Sequence, residues 1–252
     1  MLNREFLIAA ATFMEIEPLI KCSTFLSDSF SSSGVRVITG KFNRDTDNNK
    51  DYDDKRNSLY DKKREEDDNN FTIIVTGAGV INAAHGLTVY LESCIKNYKN
   101  LIIIQTGIAG VFEGSGLKIG DIAVASSDTY IHTGVSLNSE DLSSYPLNQL
   151  PFELVHNCPE SKSGKFIFDK ELIKRACSNI KESLVKEATS RIEDKTCNAA
   201  IGDFITVSTI TAAPEQADHI FKAFDRPCME SMEGAASAHI AKLYNIGFIQ
   251  VR

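Results

Sequence analysis

Short apolar runs separated by stretches of helical period constrain this sequence more than any other feature. Phe6–Ala11, Val35–Thr39, Phe71–Val75, Leu101–Gln105, Ile122–Ala125, Ala199–Thr209 and Phe248–Val251 are each strand-length and apolar. Between them, Asp169–Glu187 sets Leu172, Ile173, Ala176, Ile180 and Leu184 at three- and four-residue steps, the spacing of an amphipathic helix. Further helices are predicted from Gly79 to about Ser93 and from about Glu233 to Leu243. This alternation predicts an α/β fold, and 252 residues with 42% hydrophobic content suit a single domain spanning 1–252.

Charge and cysteine usage exclude several partners. A net charge of −7 argues against a nucleic-acid surface, which calls for clustered Lys and Arg. Cys22, Cys94, Cys158, Cys177, Cys197 and Cys228 form no C-x-x-C pair, so neither a zinc site nor a redox dithiol is expected, and reduced thiols fit a cytoplasmic protein. No apolar run reaches the roughly 18 residues that a membrane helix needs. Glu5, Glu15 and Glu17 flank the run Phe6–Phe13, which suits a buried first strand better than a secretion signal.

Two regions depart from the α/β rhythm. Asn43–Asn70 holds ten acids, seven bases and six asparagines among 28 residues. It cannot bury enough apolar surface to offset its ordering entropy, so a disordered charged loop is expected where a hairpin turn would otherwise join Val35–Thr39 to Phe71–Val75. The sequence also stops at Ile249-Gln250-Val251-Arg252, at the edge of an apparent core strand. A covering helix would ordinarily follow, and truncation at the C-terminus is expected.

In open α/β sheets, ligands bind beyond the carboxyl ends of strands. Four segments sit there. In Ala10-Ala11-Thr12-Phe13-Met14-Glu15-Ile16-Glu17, a carboxylate could deprotonate a water, or both acids could simply favour the first turn of a surface helix. Thr76-Gly77-Ala78-Gly79 and Thr106-Gly107-Ile108-Ala109-Gly110 are turns that let the backbone approach a ligand, although packing alone explains many such turns. Glu230-Ser231-Met232-Glu233-Gly234-Ala235-Ala236 is the most specific segment. Glu233 can accept hydrogen bonds from two ribose hydroxyls while Met232 packs on the sugar face. The bland alternative is an ordinary helix start with an acid in its first turn. His239 reads as a packed helix residue.

Together with Leu117-Lys118-Ile119-Gly120-Asp121-Ile122, these segments resemble the futalosine hydrolases and the methylthioadenosine/S-adenosylhomocysteine nucleosidases of the nucleoside phosphorylase superfamily. The Met232-Glu233-Gly234-Ala235-Ala236 form and the Thr206–Thr211 stretch are more similar to futalosine hydrolase. The resemblance implies a three-layer αβα sandwich with a central mixed β-sheet, a homodimer and no cofactor or metal. It implies Glu15, rather than Glu17, as the base acting on water. Gly107, Ile108 and Gly110 would line the ribosyl and base pocket, Phe204, Thr206 and Val207 would lie near the base, and Met232 and Glu233 would hold the ribose.

On that footing the expected reaction is hydrolysis of a purine N-ribosidic bond, with futalosine as substrate and hypoxanthine as product in a menaquinone pathway. Such a cleavage passes through a cationic sugar, so it needs a nearby negative charge, an activated water and neutralisation of the departing purine. The residue that meets the leaving base follows an Arg-x-Ile-Ser sequence in the family. That sequence would begin at Arg252, so the chain as written is expected to be a poor catalyst.

The alternatives are a methylthioadenosine/S-adenosylhomocysteine nucleosidase, a purine nucleoside phosphorylase and a non-catalytic nucleoside-binding protein. Gln105, where phosphorylases of the superfamily tend to carry arginine, favours water over phosphate. Retention of both acids weighs against a pure binder. A dinucleotide site is disfavoured because Thr76-Gly77-Ala78-Gly79 lacks the third glycine and no acid ends Leu101–Gln105.

Overall fold

A computed structural model describes residues 5–42, 70–94, 100–136, 148–190 and 197–252. The charged segment expected to be disordered lies outside these residues except for Asn70, which opens a strand.

In chain order the elements are β1 (Glu5–Ala10), α1 (Phe13–Lys21), β2 (Ser23–Phe30), β3 (Arg36–Phe42), β4 (Asn70–Val75), α2 (Val80–Cys94), β5 (Leu101–Gln105), β6 (Gly110–Val111) and β7 (Ile122–Tyr130). There follow β8 (Lys165–Ile167), α3 (Lys170–Ser190), β9 (Ala199–Thr206), α4 (Pro214–Ala223), β10 (Met229–Ser231), α5 (Gly234–Leu243) and β11 (Gly247–Gln250).

The strands form two mixed sheets, ordered β11-β5-β1-β4-β3-β2 and β6-β10-β9-β7-β8. Strands β11, β5, β1 and β4 run parallel, while β3 and β2 turn back antiparallel. The sheets meet where Val251 bridges Val124 and Arg252 exchanges both backbone hydrogen bonds with Ala123, at 2.7 and 2.9 Å. The fold is therefore mixed α/β, with a central sheet system made of two hydrogen-bonded halves.

Alternation along β1 shows how the layers assemble. Leu7 and Ala9 face a core shared with Leu87 and Leu91 of α2 and with Ala235, Ala238 and Ala241 of α5. Ile8 and Ala10 face the opposite core with Ile16 of α1, Ile38, Phe71 and Ile73. A period of two on a strand covered on both sides gives the continuous apolar run seen in the sequence. The second sheet repeats the device: Phe204 enters the larger core, while Ile205 packs with Phe112, Ile131, Val207 and Ile220 of α4.

Several elements depart from the sequence reading, among them the short strands β6, β8 and β10, which it did not include. Strand β2 was not expected, because its polar residues and the exposed Leu26 and Phe30 mark an edge held mainly by pairing with β3. Helix α4 was not read from the sequence, although Pro214 at its first turn and Ala217, Ile220, Phe221 and Phe224 at three- and four-residue steps mark it. Strand β9 ends at Thr206 rather than Thr209. Strand β7 runs on to Tyr130 instead of stopping at Ala125, through Ser127 and Asp128, both buried.

Candidate active site

Backbone pairing brings three strand ends together. Thr76 N–H donates to the Ala10 carbonyl, Gly77 N–H to Ala11, and Thr106 N–H to Ala9. The turns after β1, β4 and β5 thus form one rim, and the start of α5 closes it.

Glu15 is placed on this rim by the start of α1. Thr12 is the N-cap, and its N–H and hydroxyl both reach Glu15 Oε2, at 2.8 and 3.1 Å, in a capping box. The other oxygen, Oε1, accepts the Ile108 N–H at 3.0 Å. The carboxylate is therefore oriented from two segments distant in sequence. Gly107 makes this approach possible: its φ is +139°, and a Cβ there would lie 2.2 Å from Glu15 Oε1 and 2.7 Å from an Arg252 amine.

Glu233 comes to the same place from α5, as its N-cap residue. Its Oε1 accepts the Gly79 N–H at 3.0 Å and its Oε2 accepts Arg252 Nη2, also at 3.0 Å. Arg252 is the link. Its Nη1 lies 4.0 Å from Glu15 Oε1 and also reaches the Ile108 and Thr106 carbonyls, at 3.3 and 3.4 Å. Both acids and the guanidinium are nearly closed to solvent, with side-chain exposures of 7%, 5% and 0%. One positive group between two carboxylates leaves the cluster a formal charge of −1.

The sequence reading did not single out Arg252. Its terminal position made it look like the opening of a motif, and only the cross-sheet pairing of Val251–Arg252 turns it inward.

The remaining expected residues divide. Gly107, Ile108 and Gly110 do lie at the cluster or beside it, but Ile108 contributes its backbone, its side chain being 82% exposed. Met232, half-buried, packs against the cluster of Phe112, Ile205, Val207 and Ile220. Phe204, Thr206 and Val207 are buried. Phe204 is in the main core, Thr206 is hydrogen-bonded to Asp128, and Val207 packs beside α4. Gln105 is also turned away, its Oε1 accepting the Ser237 hydroxyl at 2.7 Å.

Two further acids surround the site unannounced by the sequence reading. Glu230 is buried beside Gly110, and its Oε1 accepts the Thr211 N–H at 2.9 Å, tying the loop after β9 to the second Gly-rich turn. Asp128 is wholly buried beneath the start of α5. Burial pushes its carboxyl up to about 7, against the lowering influence of Thr206, Gln250 and Arg252. A cavity of about 250 Å³ opens beside this region, between α2 and α5, lined mostly by apolar groups including Val80, Ile81, Tyr130, Phe166 and Ala235. Among the described residues no cluster of His, Cys, Asp and Glu could hold a metal ion, and no helix is long and apolar enough to cross a membrane.

Known proteins show the same arrangement of elements. The chain is 28% identical over 180 residues to a 5'-methylthioadenosine/S-adenosylhomocysteine nucleosidase of Maridesulfovibrio salexigens, covering 71% of this chain and 65% of that protein. A nucleosidase of the same description from Listeria innocua is 29% identical over 180 residues, covering 71% of this chain and 66% of that protein. The chain thus spans slightly under two thirds of the length of these relatives. Among solved structures, futalosine hydrolase from Helicobacter pylori superposes with a TM-score of 0.64 at 14% identity, covering 99% of this chain and 88% of that one. The S-adenosylhomocysteine nucleosidase of Streptococcus pyogenes, solved with 5-methylthiotubericidin, gives 0.62 at 20% identity, covering 100% and 83%. These two share the fold. The sequence pattern of the phosphorylase superfamily matches residues 63–252, which takes in both Gly-rich turns and Glu233 with its helix, and the chain belongs to that superfamily.

Proposed function

We propose that this chain is a purine nucleosidase that hydrolyses an N-ribosidic bond with water as nucleophile. The observation that carries the reading is the convergence of Glu15 and Glu233 on Arg252 at the Gly107 turn. Glu15 Oε2 already accepts two hydrogen bonds and Oε1 one, which leaves a lone pair on Oε1. A water on that lone pair would lie within reach of Arg252 Nη1 as well, since the two atoms are 4.0 Å apart. Glu15 then takes the proton as the water attacks the anomeric carbon and the C–N bond breaks, its electron pair leaving with the purine, which takes up a proton from solvent. Glu233 keeps lone pairs for the ribose 2′ and 3′ hydroxyls, and its charge stabilises the cationic sugar in a site shielded from water.

The charge balance supports water over phosphate. A phosphate dianion would enter a cluster of net −1 whose only guanidinium is already shared between two carboxylates.

Among substrates, methylthioadenosine is supported by the apolar cavity, which could take an uncharged 5′ substituent, and by the naming of the relatives. Futalosine is the second reading, supported by the Met232–Ala236 sequence form and by the likeness to the Helicobacter pylori enzyme. The resemblance further implies a homodimer in the cytoplasm, which sedimentation and fractionation would test.

The deciding experiment incubates the chain with methylthioadenosine, S-adenosylhomocysteine and futalosine, each with and without phosphate, and measures free adenine or hypoxanthine. Release that is indifferent to phosphate and lost in Glu15→Gln is the expected result. Release that requires phosphate, or none from any of the three, overturns the proposal.

A further inference from the structure

We infer that His239, in the apolar cavity between α2 and α5, is a specificity-determining residue that pairs with the carboxylate of a bulky, acid-ended 5′ substituent. This deepens the nucleosidase reading and rests on it for placing the ribose at Glu233.

The cavity starts beside the residue proposed to hold the ribose. Val80, in its wall, follows Gly79, whose N–H donates to Glu233 Oε1 at 3.0 Å. Ala235, Ala236, His239 and Ile240 line it as well, so it runs along one face of α5 away from Glu233, the N-cap. His239 stands six residues beyond Glu233, about 9 Å along the helix at about 1.5 Å per residue. It therefore meets the outer part of a 5′ substituent rather than the ribose. Volume points to a large substituent. The cavity measures about 250 Å³, whereas a cavity of about 150 Å³ holds a benzene ring. A methylthio group fills only a part of it, and an aryl group fits.

The second observation is the chemistry of the wall. Among the lining residues His239 is the one side chain that can carry a positive charge, and none carries a negative one at neutral pH. Its ring stacks on Phe166, with centroids 5.3 Å apart and 30° between the planes, and it donates to the Leu154 backbone carbonyl. The donated bond uses one ring nitrogen. The other is an acceptor in the neutral ring and a second donor in the protonated one. Burial holds this imidazole below the usual histidine value, the Leu154 carbonyl acts in the opposite sense, and no charged neighbour contributes. Tyr130 of β7 is the other titratable group in the wall, and its hydroxyl is bonded to Ser208 at 2.7 Å. A carboxylate carried into apolar surroundings is costly unless a cation and a hydrogen bond meet it. His239 supplies both: the ring takes up a proton from solvent as the acid-ended substituent binds, and donates it in a charge-assisted hydrogen bond. A methylthio group calls for no such proton.

The test uses three nucleosides that share the base released in the assay above and differ at the 5′ carbon: 4-carboxybenzylthio, its methyl ester, and methylthio. In wild type, kcat/KM for the acid is expected to exceed that for the ester by about tenfold, chiefly through KM. In His239→Gln that ratio should fall to about one, and the ratio of acid to methylthio nucleoside should fall by about tenfold as well. Equal changes for all three nucleosides overturn the inference. A second measurement needs no turnover and no change at His239: the ring protons of His239 are titrated by NMR in Glu15→Gln. The carboxybenzylthio nucleoside should raise the midpoint by about one pH unit, matching the tenfold preference, while the methylthio nucleoside leaves it in place. An unmoved midpoint with the acid overturns the inference. If no nucleoside is cleaved, the proposed function fails, whereas the titration, run in the wild-type chain with the adenine and hypoxanthine forms of the acid, still decides the role of His239.

Discussion

Arg252 Nη2 and Glu233 Oε2 are 3.0 Å apart, inside a cluster that also contains Glu15 and is almost closed to solvent. An ion pair in such a place does not stabilise by Coulomb attraction alone, since desolvating both partners costs about as much as their attraction returns. Its necessity appears when one partner is removed. Arg252→Gln would leave two buried carboxylates facing each other across the Gly107 turn. It is expected to lower unfolding free energy by about 3–5 kcal/mol, measured by urea denaturation at neutral pH. The double variant Arg252→Gln/Glu233→Gln should recover part of that loss. If the double variant is as unstable as the sum of the single changes, the pairing carries no such coupling.

Glu15 separates the catalytic claim from the structural one. Glutamine can fill the N3 position of a capping box, so Glu15→Gln keeps the bonds with Thr12, but its amide nitrogen in place of Oε1 forfeits the bond from Ile108, at a cost of about 1–3 kcal/mol. Purine release, in contrast, should fall by about 10²–10⁴-fold, the usual contribution of a general base. An unchanged rate in a folded variant would remove Glu15 from the mechanism.

Two glycines allow the Gly107 contact to be isolated. Both Gly79 and Gly107 have positive φ, +93° and +139°, so alanine strains the backbone at either position by about 1–3 kcal/mol. At Gly79 a Cβ meets nothing within 4 Å, whereas at Gly107 it would sit 2.2 Å from Glu15 Oε1. Gly79→Ala should therefore lower the melting temperature but keep a measurable rate, and Gly107→Ala should lower both. Equal retention of activity in the two variants would mean that Glu15 needs no close approach to this turn.

What the sequence disclosed follows burial. Strands β1 and β5, covered on both faces, leave unbroken apolar runs, and the acids that follow a strand or open a helix stand out because nothing apolar explains them. Edge strand β2 left little signal, since its stability comes from pairing rather than burial. Beyond Ala125, β7 reads as a polar loop because the partner of the buried Asp128 is far away in sequence: its Oδ1 accepts from Thr206, 78 residues on. Arg252 was hidden for a related reason. A guanidinium at the end of a sequence looks solvated until the last two residues pair with Ala123 and Val124 and carry it inward. Phe204, Thr206 and Val207 were placed by resemblance near a base; Phe204 enters the main core, Thr206 bonds Asp128, and Val207, just past β9, packs beside α4.

The buried Asp128 also gives the whole chain a pH signature. Its carboxyl stands at about 7 rather than the ordinary 3.8, because burial penalises the charged form more than Thr206, Gln250 and Arg252 favour it. The folded chain thus holds this proton more tightly than the unfolded chain does, so stability from this group is fully present below about pH 4 and drains away as the pH rises towards about 7. With each tenfold change in protonation worth about 1.4 kcal/mol, the loss is on the order of 4 kcal/mol. Asp28, Asp121 and Asp203 act in the opposite sense, since their hydrogen bonds and cationic neighbours hold their carboxyls below the usual value. Raw stability profiles therefore mix both trends, and comparison with Asp128→Asn isolates one. The variant cannot ionise at this position, so the wild-type advantage over it should shrink steadily, or its disadvantage grow, from about pH 4 to about pH 7 and then level off. Urea midpoints taken at intervals across that range measure the difference directly. Parallel curves for the two proteins would show that Asp128 titrates alike in the folded and unfolded chain, contrary to its burial under α5.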